Sequence, residues 1–498
     1  MGSENASLKQ QIGKATKWSG ITEIMAKMIS PVTNMILARL LAPESFGIVA
    51  TVTMIFSFAD MFTDAGFQKY IVQRQFSDDD ELFKYANVAF WANLSISILF
   101  WIVIAIFADE IAALVGCEGK GNLFIVSCIS LPLTSFSSIQ MAIYRRGFDF
   151  KRLFHVRLVG SLLPLFVTVP LAYFIRSYWA LIIGSICGNF SNVVILTAKS
   201  RWKPRLFFRF AMLKEMLSFS IWALVEAVSV WLTNYIGVFI VGTVLSSHYL
   251  GIYKTAMTTV NQITSIITST TTPVLFSALS RMQDDKAEFK RTFMTFQRIT
   301  SYLVVPLGVG IFLYRELITD ILLGDQWAEA TGFIGAWGLV SCVKIIYSNY
   351  CYEVYRAMAR PKLAVIAQAL QLVVLVPGIW FAAHKSFEYL YITRSLITLV
   401  LLAINQIIMN VACHFSSLEM VRNTYHSFAA SGVMCVAALL LQSVSTSVMW
   451  SLLSIVLCML IYCVVLYAEF PRIRSEIRSF ARMVIKFKSK AEVKGNEC

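Results

Sequence analysis

Long apolar runs alternate with short polar gaps along nearly the whole of this 498-residue chain. A helix needs about 20 apolar residues to cross a hydrocarbon layer roughly 30 Å thick. Fourteen runs reach or approach that length, at 18–41, 46–69, 86–108, 122–144, 153–175, 179–198, 217–242, 249–279, 296–314, 331–352, 363–383, 389–412, 427–444 and 448–468. The pattern predicts an all-α integral membrane protein with about 14 transmembrane helices.

Composition supports this class of protein. Hydrophobic residues make up 57% of the chain and charged residues only 14%, against the ~25% that is typical of soluble domains. The gaps are too short for a folded soluble domain, and residues 1–17 are polar, so we expect no cleaved signal peptide. The cysteines form no C-x-x-C pair and are interpreted as small apolar residues.

The basic residues are sorted by side. Of the 43 Lys and Arg residues, 33 fall in every second gap or in the two polar ends, and five fall in the opposite gaps. Cytoplasmic loops carry such an excess, so we expect both termini in the cytoplasm. The net charge of +14 is therefore a topology signal, and no nucleic-acid partner is expected. The basic tail, 469–498, has an amphipathic spacing typical of a helix that lies on membrane lipids.

An internal repeat divides the chain. A shift of 204 positions aligns 36–49 with 240–253 and places Gly47 on Gly251, and Gly116 matches Gly324 at a slightly larger shift. Each copy holds six spans, so the copies are parallel, as in transporters with a site between two halves. The predicted organisation is a cytoplasmic N-terminus (1–17), two six-helix lobes (18–210 and 211–412), two extra helices (413–468) and the tail.

Nine charged residues lie inside the predicted spans, where a charge costs at least ~2.5 kcal/mol and usually faces a cavity. The cations are Lys27, Arg157, Lys254, Lys344 and Arg394, and we predict that they bind an anionic substrate. Snorkelling to the interface is the alternative for Arg157, Lys254 and Arg394, which lie near span edges. Lys27 is four residues after Glu23, so those two residues form a possible pair.

The intramembrane acids are candidates for coupling or gating. Asp60 and Asp64 share one helix face, and two like charges at that spacing favour protonation of one of them. A proton or sodium ion is then the candidate coupling ion, although a Lys or Arg from another helix is an alternative partner. Glu226 lies near the repeat position of Glu23, and Pro31 in the first span is a candidate hinge.

The sequence contains no convincing catalytic motif. The acidic run 78–81 contains a D-x-D pattern without a nucleotide-binding domain around it, the five histidines have no metal spacing, and no Walker loop is present. We therefore expect a protein that is not an enzyme and that has no metal and no cofactor.

Seven motifs resemble those of bacterial polysaccharide transporters. They are ARLLAPESFG (38–47), TDAG (63–66), QRQFSDDDE (73–81), YRRGFDFKRL (144–153), YLGIYKTA (249–256), FSALSRMQDD (276–285) and LLGDQW (322–327). From about residue 8 to 410 the chain resembles the oligosaccharide flippases of lipopolysaccharide and exopolysaccharide export, which belong to the multidrug/oligosaccharidyl-lipid/polysaccharide (MOP) superfamily.

The resemblance implies a substrate and a direction. The substrate would be a polyprenyl-pyrophosphate-linked oligosaccharide, a repeat unit of O-antigen, capsule or exopolysaccharide, moved from the cytoplasmic to the periplasmic leaflet of the inner membrane by alternating access. A glycan polymerase and glycosyltransferases are candidate partners. Polar and aromatic residues on four spans are candidates to line the cavity, namely Asn34, Thr63, Asn234, Tyr235, Asn261 and Gln262.

The sequence leaves two other functions to consider. A cation-coupled antiporter of small molecules or drugs on the same fold is the alternative, favoured by Asp60 and Asp64. A membrane-embedded glycan polymerase, ligase or transferase is disfavoured, because it needs a sizeable outer loop and the outer gaps are short.

Overall fold

The computed structural model describes residue 25 and residues 28–64, 66–147, 149–360, 362–445 and 447–469, and every regular element in these ranges is helical. The all-α prediction is therefore confirmed for this part of the chain. The first helix, α1, covers 28–40. It is followed by α2 (Pro43–Asp64), α3 (Phe67–Gln73), α4 (Asp79–Ile106), α5 (Ala108–Leu114), α6 (Gly121–Ser127), α7 (Ser130–Arg146), α8 (Phe150–Leu163), α9 (Val169–Ile175) and α10 (Trp179–Lys199).

The second half continues in the same way. Its helices are α11 (Phe210–Val244), α12 (Ser247–Ser280), α13 (Lys286–Leu313), α14 (Arg315–Leu322), α15 (Thr331–Lys344), α16 (Tyr350–Ala357), α17 (Lys362–Ala383), α18 (Phe387–Cys413), α19 (Ser417–Gln442) and α20 (Val448–Glu469). Two π-helical turns, Pro164–Thr168 and Ile345–Asn349, and a 3₁₀ helix, Asp325–Ala330, join neighbouring helices.

Thirteen candidate spans are present among the described residues, against the fourteen predicted. The difference lies at the first predicted span, 18–41, because most of its first turns are outside the described residues and α1 alone is too short to be counted. Lys27 and Glu23 lie outside the described residues for the same reason. The predicted tail, 469–498, is also outside them except for the backbone of its first residue.

The predicted repeat has a counterpart in the helices themselves. Helices α4 and α13 are both 28 residues long, and each begins after an aspartate cap. The side chain of Asp78 accepts from the amide of Glu81, and that of Asp285 accepts from the amide of Glu288. Each long helix is followed after one residue by a short helix, α5 or α14. The same supersecondary unit therefore occurs twice.

The chain divides into two compact units that interleave along the sequence. Unit one comprises Met1–Gln262, Thr319–Phe333 and Gln368–Ile397, and unit two comprises Ile263–Ile318, Ile334–Ala367 and Thr398–Cys498. A large apolar cluster of unit one packs α3, α4 and α7 around Phe67, Phe90 and Trp202. Asn93 of α4 donates to Ser138 Oγ of α7 at 2.7 Å, and Ser135 Oγ donates back to Asn93 at 3.0 Å. Such amide and hydroxyl bonds hold helices together where lipid provides no hydrophobic drive.

A charged cluster fixes the start of α11 in unit one. Glu215 accepts hydrogen bonds from Tyr70 Oη and Tyr85 Oη, each at 2.7 Å, and forms an ion pair with Arg74. The hydrogen bonds from Tyr85 and Tyr70 and the charge of Arg74 together hold the pKa of the Glu215 carboxyl below its usual value. The helix is thereby tied to the loop that follows α3.

Unit two contains the bundle of α13, α19 and α20. Ser301 and Ser427 join α13 to α19 through hydroxyls 2.6 Å apart, and Tyr314 Oη lies 2.9 Å from Ser454 Oγ of α20. Both bonds are buried, so this bundle uses the same polar connections as unit one.

Candidate functional site

A row of aromatic rings in unit one ends at a cation, Lys254. We call these residues the aromatic row. They are Phe100 of α4, Phe62 and Phe58 of α2, Trp231 and Tyr235 of α11, and Lys254 of α12. Neighbouring ring centroids are 4.9–5.6 Å apart. The amine of Lys254 lies 5.2 Å from the centroid of Tyr235, within the range of a cation–π contact.

Helical spacing explains how these rings line up. Phe58 and Phe62 are four residues apart on α2, and so are Trp231 and Tyr235 on α11, so each pair lies on one helix face. The indole of Trp231 donates to Ser57 Oγ at 3.0 Å and so fixes α11 against α2. None of the rings is fully buried, and all can present surface to a ligand.

Asp60 lies on α2 between the two phenylalanines of the row. Its Oδ1 accepts a hydrogen bond of 2.8 Å from the hydroxyl of Thr134 on α7. The sequence predicted a Lys or Arg from another helix, or the neighbouring Asp64, as the group next to Asp60, whereas the structure provides the hydroxyl of Thr134 as a donor. Asp64 is the last residue of α2, and its side chain is outside the described atoms.

The other predicted cations differ in environment. Arg394 is 7% exposed within unit one, so snorkelling at a span edge does not describe it, whereas Arg157 of α8 is exposed. Lys344 is half-buried and is the last residue of α15, directly before the π-helical turn. Turns of this type occur frequently at functional sites.

The remaining coupling and gating candidates are only partly described. Glu226 lies within α11, but its side chain is outside the described atoms. Pro31 is half-buried within α1, near the start of its described residues. Of the six predicted lining residues, Tyr235 is part of the aromatic row. The other rings of the aromatic row were not predicted from the sequence, because aromatic residues also occur on the lipid-facing surfaces of spans.

The two glycines that the repeat aligns face each other in unit one. A Cβ atom placed on Gly47 would lie 1.8 Å from the carbonyl oxygen of Ser247, and one on Gly251 would lie 1.9 Å from that of Pro43. Pro43 and Ser247 are themselves aligned by the shift of 204. The contact is therefore reciprocal, as contacts across a two-fold axis are, and the N-terminal turns of α2 and α12 touch at the backbone.

Three of the family motifs meet around this contact. His248, aligned with Glu44, has Nδ1 2.7 Å from a carboxylate oxygen of Glu44 and Nε2 3.2 Å from one of Glu329. Trp327 is fully buried and donates from its indole to the carbonyl of Ala38 at 2.8 Å. We call residues 38–47, 247–251 and 322–329 the motif junction. It shows that motifs far apart in sequence serve one tertiary contact.

Unit two has an apolar cavity of about 380 Å³ between α13, α19 and α20. Leu307 of α13, Met434 of α19 and Ile455 of α20 are among the side chains that line it. Its surface is almost wholly apolar, so it suits a hydrocarbon chain and not a sugar.

Long apolar helices in this arrangement define a multi-pass membrane protein with a transporter fold. The structure is similar to that of the lipid II flippase MurJ in an inward closed conformation, with a TM-score of 0.72, 14% identity and coverage of 91% of this chain and 98% of that one. It is also similar to an inward-facing multidrug resistance MATE transporter of the MOP superfamily, with a TM-score of 0.58, 11% identity and coverage of 78% and 96%. The chain therefore shares the fold of these two proteins.

Residues 36–332 match the family model described as polysaccharide biosynthesis protein, and the chain belongs to that family. It is 24% identical to the succinoglycan biosynthesis transport protein ExoT of Rhizobium meliloti over 65% of this chain and 64% of that protein. It is 20% identical to the lipopolysaccharide biosynthesis protein WzxC of Escherichia coli over 64% of this chain and 65% of that protein. An uncharacterized membrane protein from the cps region of Klebsiella pneumoniae is 22% identical over 76% of this chain and 77% of its own length. The match thus spans slightly less than two thirds of the two named relatives.

Proposed function

We propose that this protein is a flippase that moves a polyprenyl-pyrophosphate-linked oligosaccharide from the cytoplasmic to the periplasmic leaflet of the bacterial inner membrane by alternating access. Family membership supports it, as do relatives that act in succinoglycan transport and lipopolysaccharide biosynthesis. The fold of a lipid II flippase supports the lipid-linked form of the substrate. The protein makes and breaks no covalent bond in this proposal and uses no cofactor.

The aromatic row with Lys254 is the observation that carries the proposal. The substrate combines sugars with a pyrophosphate, and its negative charge must cross an apolar layer. Ring faces provide the apolar, oriented surface on which sugars pack, and aromatic side chains are common in such sites. An ammonium group binds phosphate oxygens through short, charge-assisted hydrogen bonds. In unit one, Lys254 is held over the last ring of the row, so both requirements are met side by side.

The remaining intramembrane charges keep their predicted roles within this proposal. Lys27, Arg157, Lys344 and Arg394 are further candidates for contact with the pyrophosphate. Glu23, Asp60, Asp64 and Glu226 are candidates for coupling to a proton or sodium ion, and Pro31 is a candidate hinge. Asp60 has the best structural support among them, since it is half-buried beside the row and hydrogen-bonded to a hydroxyl.

The apolar cavity of unit two supports a lipid-linked substrate. A volume of about 380 Å³ accommodates several isoprene units, and its almost wholly apolar lining matches a hydrocarbon chain. The distribution of Lys and Arg residues supports placing both termini in the cytoplasm.

Replacement of Lys254 tests the proposal. The Lys254→Gln variant should lose most glycan export when it is expressed in a bacterium whose own gene is deleted, and Lys254→Arg should retain a large part of it. Surface polysaccharide is measured by immunoblotting, and lipid-linked repeat units are measured in the membrane, where they should accumulate. Lys385→Gln is the matched control, because the Lys385 amine lies 5.3 Å from the ring centroid of Tyr389, outside the row.

Two results would contradict the proposal. Full export by a normally inserted Lys254→Gln variant would remove the phosphate role of this amine. Drug resistance conferred on a sensitive host, with no effect of deletion on surface polysaccharide, would instead favour the antiporter.

A further inference from the structure

Unit one has a polar cavity, lined by none of the residues of the aromatic row, at the start of α4, the end of α7 and the start of α8. Its volume is about 290 Å³, and three arginines line it: Arg146 at the end of α7, Arg152 in the first turn of α8, and Arg201 after α10. The cavity lies among the loops in which Lys and Arg residues are concentrated.

Arg146 is fixed by the end of a neighbouring helix. Its Nη1 donates to the carbonyl oxygens of Ile71 at 3.1 Å and Val72 at 3.3 Å, and also to that of Arg74. These carbonyls belong to the last turn of α3 and the loop after it, where acceptors have no partner within the helix. The guanidinium therefore has one defined position on the cavity wall.

Arg152 is fixed by its own helix start. Its Nε lies 3.0 Å from a carboxylate oxygen of Asp149, the residue that caps α8, and its guanidinium carbon lies 5.6 Å from the ring centroid of Tyr144. The guanidinium also hydrogen-bonds the hydroxyl of Tyr144, so Asp149 and Tyr144 together fix its position on the cavity wall.

The backbone position of Arg201 is fixed by the packing of the next residue, Trp202. Trp202 is 2% exposed and packs into the large apolar cluster of unit one, with its ring centroid 5.8 Å from that of Phe90. Arg205, three residues further on, donates its amide to Asn87 Oδ1 at 2.9 Å. The backbone of this segment is thus held on α4, and the exposed side chain of Arg201 stands at the rim of the cavity.

The lining has an excess of positive charge over an apolar floor. The acids that face the cavity are Asp79 and Asp149, and Asp149 is already bridged to Arg152. The floor consists of apolar side chains from α4 and α7, among them Leu82, Phe83 and Ile143. A ligand that fits has an anionic head and an apolar part.

We propose that this cavity binds the phosphate head group of an anionic phospholipid. Guanidinium groups match phosphate oxygens in planar, bidentate geometry, and basic pockets between transmembrane helices bind such head groups. The side chains of Arg146 and Arg152 are held in place before the ligand arrives, so these two residues lose little side-chain entropy on binding. The site is independent of the glycan that the protein transports.

Lipid binding by the purified full-length protein tests the site. Fluorescent phosphatidylglycerol is titrated into protein in neutral detergent, with phosphatidylcholine as the zwitterionic comparison. Wild-type protein should prefer phosphatidylglycerol, and the Arg152→Gln/Arg201→Gln double variant should bind it at least 10-fold more weakly. The Arg209→Gln/Lys214→Gln double variant removes the same charge from two exposed residues outside the cavity and should stay within two-fold of wild type.

The Arg201→Gln single variant separates loss of the binding site from misfolding of the double variant, because it changes only an exposed side chain. It should elute as a monodisperse protein and bind phosphatidylglycerol at least three-fold more weakly. Unchanged affinity in this variant, or an equal loss in the Arg209/Lys214 variant, overturns the proposal. Inorganic phosphate or pyrophosphate that displaces the lipid at micromolar concentration would show a site for a soluble phosphate and would overturn the lipid assignment.

Discussion

Replacing either glycine of the motif junction with alanine should open the contact between α2 and α12. The Cβ atom of Gly47→Ala would lie 1.8 Å from the Ser247 carbonyl oxygen, and that of Gly251→Ala would lie 1.9 Å from the Pro43 carbonyl oxygen. Separations below 3.0 Å essentially do not occur for a Cβ atom. Because the obstructing atoms are backbone, no side chain can rotate away, and the two helix starts must separate by more than about 1 Å.

The size of the effect follows from the cost of overpacking. Inserting a methyl group into a well-packed contact costs about 1–3 kcal/mol. If the cost falls only on the conformation in which the two helices touch, the equilibrium between closed and open forms shifts by roughly 5- to 150-fold. The two substitutions act on one contact, so their effects should not add in the double variant.

Hydrogen–deuterium exchange of the first turns of α2 and α12 measures this shift. Exchange through local opening follows the population of the open form, so amides in 44–50 and 247–254 should exchange at least five-fold faster in Gly47→Ala than in wild type. Gly188→Ala is the matched control, because its Cβ has no neighbour within 4 Å outside its own helix. It should leave both segments unchanged.

The reasoning would be refuted by a folded Gly47→Ala variant whose amides exchange within two-fold of wild type. It would also be refuted if Gly251→Ala had no effect while Gly47→Ala had a large one, since the contact is reciprocal. Either result would mean that the two helices do not touch at the backbone in the purified protein.

Two further substitutions test the charged cluster at the start of α11 and the motif junction. Glu215→Gln should reduce the melting temperature at pH 7 and make it less dependent on pH. The pKa of the Glu215 carboxyl is lowered mainly by the hydrogen bond from Tyr85. The ionised carboxylate therefore stabilises the folded protein above the usual carboxyl pKa, and this stabilisation is lost as the pH falls through the lowered pKa. Equal melting curves for both proteins at pH 7 and pH 4 would contradict this. Trp327→Phe removes the indole donor to the Ala38 carbonyl, which keeps its hydrogen bond from Gln326 Nε2. The motif junction should therefore lose about 0.5–1.5 kcal/mol, the net worth of one hydrogen bond. Amides in 44–50 should then exchange faster, and unchanged exchange would argue against the bond.

The sequence could predict most of the fold because its signals are local. Apolar length defines the spans, and the aspartate caps at Asp78 and Asp285 start two equal helices where the acidic runs begin. The repeat shift was also visible in the sequence. What could not be predicted was that Gly47 and Gly251 touch each other, because an alignment of two segments says nothing of the distance between them.

The candidate site was predicted less well than the fold. Charge inside a span is a strong signal, and it gave nine candidates, with Lys27 and Lys344 favoured among the cations and Lys254 and Asp60 as two of the others. The rings that connect them to a binding surface carry no such signal, since Phe58 or Trp231 would look the same if it faced lipid. Glu353 was missed for another reason. It is 3% exposed and paired with Arg356 in α16, but it lies one residue beyond the predicted end of its span.

The reciprocal contact at the motif junction has a consequence for how a duplicated chain can diverge. In a protein built from two identical halves, a residue near the symmetry axis meets its own copy, and an ionisable residue there would meet a like charge. Glu44 and His248 hold equivalent positions and lie within hydrogen-bonding distance. At equivalent positions, a carboxylate opposite an imidazole is a complementary pair that two separate but identical subunits cannot form. Fusion of the halves into one gene therefore permits an attractive asymmetric contact at a point where symmetry would impose repulsion.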